Sequence, residues 1–98
     1  MVKHIIFWKL KDEVKDEKLI EKVEILRGKF ANLIGKIDGL LEAEVGLNYN
    51  GGNYDMCLNS VFESKEAEKA YQTHSLHLEI KEIVKTLICD RVCIDYEV

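Results

Sequence analysis

The chain has 98 residues, 47% of them hydrophobic, which suits a single domain (residues 1–98) with its own core and excludes a disordered polymer. Its net charge of −4 comes with Lys and Arg scattered among Asp and Glu, so no basic stripe exists to meet a phosphate backbone and no nucleic-acid partner is expected. No apolar run approaches the ~20 residues of a membrane span, and Met1-Val2-Lys3-His4 passes directly into a strand-like pattern without a signal segment, so a cytoplasmic protein with no membrane partner is expected.

Residues 2–11 alternate with period two. Val2, His4, Ile6, Trp8 and Leu10 share one strongly apolar face, and Lys3, Ile5, Phe7, Lys9 and Lys11 the other. After a charged turn with Asp16 as expected N-cap, Leu19, Ile20, Val23, Leu26, Phe30, Leu33 and Ile34 recur at three and four residues, which predicts an amphipathic helix from Lys18 to Ile37. Gly28 inside it suggests close packing. Residues 40–49 alternate again, with Leu41, Ala43, Val45, Leu47 and Tyr49 together. Asn50-Gly51-Gly52-Asn53 then signals a hairpin into a strand at 54–63. Ser64 caps an expected helix at 65–72, and Ser75 another at 76–86. In the last strand, 87–97, Ile88, Val92, Ile94 and Tyr96 lie opposite Cys89, Arg91, Cys93 and Asp95.

The three cysteines, Cys57, Cys89 and Cys93, contain no C-x-x-C pair. Four residues of strand span about 13 Å, beyond the roughly 7 Å a disulfide tolerates, so Cys89 and Cys93 cannot pair within it. Buried, small apolar thiols in a reducing compartment are the expectation.

The element order β-α-β-β-α-β predicts an α+β, ferredoxin-like sandwich with two helices on one face of a four-stranded antiparallel sheet. The other face would carry Ile5, Phe7, Val61 and the cysteines among charges. It is too apolar to stay wet, which predicts a homodimer packed sheet to sheet. His4 is the polar residue of an otherwise apolar face that also carries Trp8. With His74 and His77, it would border a pocket between sheet and helices.

The segments VKHIIFWKLKDE, GLLEAEVGLN, YDMCLNSVFESKEAEKAYQTHSLHLEIKEIVK and RVCIDYEV together resemble the Dabb family, the stress-responsive dimeric α/β barrel domain, over nearly the whole chain from Val2 to Val98. The resemblance implies a homodimer whose two sheets form a barrel. It also points to a plant branch of metal-independent polyketide cyclases that use a tyrosine and histidines in a cleft, matched here by Tyr71, His77, His74 and His4. The chain departs from the family pattern at His74-Ser75-Leu76-His77, where H-P-x-H is common, and at Ile37-Asp38-Gly39, where I-P-G is. A cleft tyrosine on the first helix has no counterpart in Val23-Glu24-Ile25-Leu26.

The reading that results is a dimeric stress-response-type protein with a pocket for a small apolar or aromatic carbonyl compound. His4, Trp8 and His74 would contact the ligand. In an enzyme, His77 would be the general base and Tyr71 the donor to a developing oxyanion. No cofactor and no metal site are expected. His4, His74 and His77 could share an ion, but Ser75 starts a new helix between the latter two, and Asp90 and Asp95 are read as lying on a distant strand. A purely structural dimer module is the remaining alternative.

Overall fold

A computed structural model describes residues 1–98. Strand β1 (Val2–Leu10) leads through a short 3-10 turn at Asp12–Val14 to helix α1 (Leu19–Ala31). Strands β2 (Leu40–Leu47) and β3 (Met56–Phe62) follow as a hairpin, then helices α2 (Lys65–Thr73) and α3 (Ser75–Lys85), and strand β4 (Ile88–Glu97) closes the chain. The strands pair antiparallel in the order β2-β3-β1-β4, the ferredoxin-like arrangement expected from the alternation of periods.

The core lies between the sheet and the helices. The apolar face of β1 is buried throughout, and Trp8 packs against Phe30 of α1 with ring centroids 6.0 Å apart. Phe62, Leu58 and Met56 of β3 extend this layer, Val23 and Leu26 cover it from α1, and Ile80 and Val84 from α3. Burying side chains of this size is the dominant stabilising term, at about 1.5–3 kcal/mol each.

Several local expectations are corrected. Helix α1 ends at Ala31, six residues short of Ile37; Asn32 is its C-cap, and the chain then runs through turns with Gly35 at φ +87°. Leu33 and Ile37 are still buried, but from turns, which keep the apolar spacing without the helix. Asp16 does not occupy the N-cap, which is Lys18; its carboxylate accepts from the Lys18 backbone N–H at 2.9 Å. Gly28 has open space where a Cβ would stand, so close packing does not explain it. On β2 a register shift between Leu40 and Glu42 turns Leu41 outward, while Leu40 takes the core position.

The other sheet face is uncovered. The register sets Ile94 opposite Ile5 and Val92 opposite Phe7, and Phe7, Val92, Ile94 and Tyr96 are all substantially exposed. The cysteines do not share this face as a group. Cys57 pairs with Phe7 and faces out, but Cys93 pairs with Ile6 and points to the helix side, while Cys89 donates to the Leu10 carbonyl at 3.7 Å beside the β-bulge. None is buried: Cys57 is half-buried and the other two are exposed, because β4 is an edge strand with nothing packed closely over it.

Candidate functional site

The site grows out of cross-strand pairing. On β1, His4 occupies the same face as Ile6 and Trp8, and only 3% of its surface is exposed. Its β4 partner is Asp95, whose carboxylate accepts from the His4 Nδ1–H. Asp95, expected from sequence to lie on a distant strand, is brought to His4 by the sheet order, which makes β4 the direct neighbour of β1. Ser60, opposite on β3, donates its hydroxyl to the His4 carbonyl at 2.7 Å and fixes the backbone from the other side.

The second imidazole comes from the helical layer. His74, not Ser75, is the N-cap of α3: its backbone is extended and its Nδ1 accepts from the Leu76 N–H at 3.1 Å. This engages the His74 ring in capping, away from the cavity it was expected to line. His77 then falls on the inward face of α3's first turn. Its Nδ1 lies 3.4 Å from the Gln72 carbonyl, which can only accept, so Nδ1 carries the proton and the lone pair resides on Nε2.

His4, Trp8 and His77 line one cavity of about 100 Å³ between β1, α3 and the start of β4. Ile6, Phe30 and Val84 supply its apolar walls, and Gln72, Lys81, Lys85 and Arg91 its remaining polar edge. Three cations and no carboxylate border this space, although the chain as a whole is acidic. Neither histidine Nε2 has a partner within the protein. No fully enclosed side-chain nitrogen or oxygen is left unpaired, so both Nε2 atoms reach open space.

Tyr71 supports the site from behind. Its ring stacks on His77 at a centroid distance of 4.0 Å, meets Phe62 edge-on at 4.9 Å, and lies 6.4 Å from His4. It is not among the side chains that border the cavity. Burial, with the nearby Glu68 carboxylate, raises its phenol pKa well above the ordinary range, so it is a hydrogen-bond donor and not a phenolate. Its hydroxyl makes no hydrogen bond within the chain, and must therefore hold the small part of the residue that remains accessible.

The His77 pKa is lowered, first by burial, with Lys81 and His4 adding to the effect and the Gln72 and Tyr71 carbonyls opposing it. Since the unfolded chain titrates this group near 6.5, it binds more protons than the folded chain just below that pH. Stability therefore rises with pH through this window and is lost as the pH falls below about 6.5, with no contribution to the slope above it. Denaturation of wild type and His77→Gln at about pH 5 and 7.5 should show the larger acid-side loss in the wild type, and an NMR titration should place the His77 midpoint below the reference of about 6.5.

Cys93 was missed as a member of this neighbourhood. Its sulfur stands 3.5 Å from His4 Nδ1 and 3.7 Å from Asp95 Oδ2. The i, i+2 spacing of Cys93 and Asp95 on one strand face was the available signal. Partial desolvation against its neighbours and the Asp95 carboxylate raise the thiol pKa of the largely exposed Cys93, which argues against a ready nucleophile.

Comparison with known proteins places the chain in a family. The stress responsive A/B barrel domain, Dabb, matches residues 2–98. The chain belongs to the Dabb family. A stress-response A/B barrel domain-containing protein, HS1, from Arabidopsis thaliana is 32% identical over 98% of this Dabb chain and 88% of its own length. A dimeric protein of unknown function and ferredoxin-like fold from Bacteroides fragilis superposes with a TM-score of 0.88 at 34% identity, covering 99% of this chain and 95% of that one. Hydroxynitrile lyase from Passiflora edulis shares the Dabb chain's fold at a TM-score of 0.78, over 99% and 92% of the two chains, but at 17% identity the likeness is one of fold alone.

Proposed function

We propose that this Dabb protein is a homodimeric small-molecule-binding domain whose ligand occupies the cavity between His4 and His77. One observation carries the reading: two imidazoles from opposite ends of the chain border the same space, each with Nδ1 held by the protein and Nε2 unpartnered. Apolar walls at Trp8 and Phe30 suit an aromatic or aliphatic body. The Nε2 lone pairs suit a phenolic or enolic hydroxyl, and Lys81 and Arg91 suit an oxygen carrying negative charge. The ligand class is therefore a small aromatic or apolar carbonyl compound able to enolise, or a phenol.

A thermal-shift screen of such compounds on wild type and His77→Ala tests this. At ten times its Kd a ligand adds about 1.4 kcal/mol, or roughly 5–10 °C for a domain of this size. The shift should appear in wild type and vanish in His77→Ala. Equal shifts in both, or none with any compound, would contradict the assignment.

The homodimer is supported by the uncovered apolar strip along β1 and β4, and by relatives described as dimeric. Ile94, 60% exposed in the single chain, lies on that strip. Ile94→Asp would place a charge within the buried interface and should shift the protein to monomers, as read by light scattering on size-exclusion chromatography. A dimer that survives unchanged would move the interface elsewhere.

A second reading, cofactor-independent acid–base catalysis of the polyketide-cyclase type, is favoured by the lowered pKa of His77. A neutral imidazole with its lone pair on an unpartnered Nε2 is ready to take a proton from carbon or oxygen. Lys81 and Arg91 would stabilise the resulting enolate, and the Tyr71 hydroxyl is unspent. Turnover of an enolisable ligand found in the screen distinguishes enzyme from binder.

A further inference from the structure

We propose that His4, Cys93 and Asp95 form a binding site for a borderline-soft divalent cation of the zinc class on the helix side of the sheet, at the exposed edge strand β4. Each residue comes from a cross-strand relation already described: Asp95 pairs with His4, and Cys93, two residues earlier, points to the same face. One ligand atom from each lies within 4.8 Å of the other two. A zinc ion bonded to sulfur at about 2.3 Å and to nitrogen or oxygen at about 2.0 Å holds those atoms roughly 3.5 Å apart at the tetrahedral angle. The sulfur stands 3.5 Å from His4 Nδ1 and 3.7 Å from Asp95 Oδ2, close to that requirement in both directions. The donor set of imidazole, thiolate and carboxylate selects zinc, cobalt or a similar ion over magnesium or calcium.

The remaining ligand pair is hydrogen-bonded, Nδ1–H to carboxylate, and the ion takes the place of that proton. Asp95, with 46% of its side chain exposed, has room to rotate outward to a bonding distance. His4 is the rigid member: it is buried, and its main chain is tied to Ser60. The ring keeps one proton, which passes from Nδ1 to Nε2, while the Cys93 thiol releases one to solvent. Thiolate and carboxylate together balance the ion's two positive charges, and the exposed edge of β4 leaves a fourth position for water or an exogenous ligand.

Metal binding would also be felt in the cavity. His4 Nε2 faces it as an acceptor while Asp95 holds the Nδ1 proton, and becomes a donor once Nδ1 binds the ion. The inference does not require the cavity ligand proposed above. The two are tested apart, because the thermal-shift screen is run on chelator-treated protein.

The test uses the reduced, chelator-treated protein with Co2+ as an absorbing probe and Zn2+ by calorimetry. The expected result is one equivalent per chain, a thiolate-to-cobalt charge-transfer band in the near ultraviolet, and displacement of cobalt by zinc. Cys93→Ser, at an exposed position where folding is safe, should abolish the band and weaken zinc binding by at least about tenfold. Asp95→Asn should weaken it comparably, while Cys57→Ser and Cys89→Ser should leave the band intact. No stoichiometric binding by wild type, a band that survives in Cys93→Ser, or wild-type affinity in Asp95→Asn would each overturn the site.

Discussion

Replacing Gly39 by alanine should cost the fold about 2–6 kcal/mol, a large share of the 5–15 kcal/mol typical of a domain. Gly39 turns the chain between α1 and β2 at φ +82°, where an L side chain is strained by about 1–3 kcal/mol. An added Cβ would stand about 2.4 Å from the Ala67 Cβ of α2, and overpacking of this kind adds about 1–3 kcal/mol. The turn cannot retreat freely, since the Gly39 carbonyl accepts from the Glu63 N–H at 2.8 Å. Urea denaturation measures the loss. Because the clash is with one methyl group, Gly39→Ala combined with Ala67→Gly should recover the overpacking part and leave the backbone strain, so the two substitutions should be strongly non-additive. Simple additivity would contradict the packing described for this turn.

Tyr71→Ala is the second large effect, expected at about 3–5 kcal/mol as for other buried aromatic truncations. The ring fills the space between Phe62 and His77, and its loss leaves both without a packing partner. Tyr71→Phe should be nearly neutral, since the hydroxyl has no partner within the chain. That contrast separates the two roles of the residue. Denaturation reads the ring, and comparison of ligand-induced stabilisation between wild type and Tyr71→Phe reads the hydroxyl. A Tyr71→Phe protein as unstable as Tyr71→Ala would show that the hydroxyl is structural.

The face of β1 was readable because burial on one side enforces strict alternation, and so His4 and Trp8 were assigned to the core side correctly. The alternation of β4 was equally visible, but both of its faces are exposed along most of its length, and nothing local says which one meets the helices. The position of Cys93 therefore came out on the wrong side, and Asp95 was separated from a histidine 91 residues away that it directly contacts. Only the sheet order, a non-local property, brings them together.

The His74–His77 stretch shows a different limit. Serine is the common cap, so Ser75 was the natural choice, yet the chain uses the histidine before it and starts α3 one residue earlier. His77 accordingly sits third in the helix, and its ring turns toward His4 while the His74 ring closes the helix end. Tyr71 was identified through its resemblance to cyclase tyrosines; in the structure its ring stacks on His77 from outside the cavity lining.

The most direct test of the shared cavity is nitrogen NMR of histidine-labelled, chelator-treated protein, titrated with the best phenolic or enolisable carbonyl compound from the screen. The account predicts that the Nε2 resonances of His4 and His77 move together with one binding isotherm while His74 stays fixed in its capping role. Movement of His74 without His4, or binding that leaves both Nε2 signals in place, would contradict it.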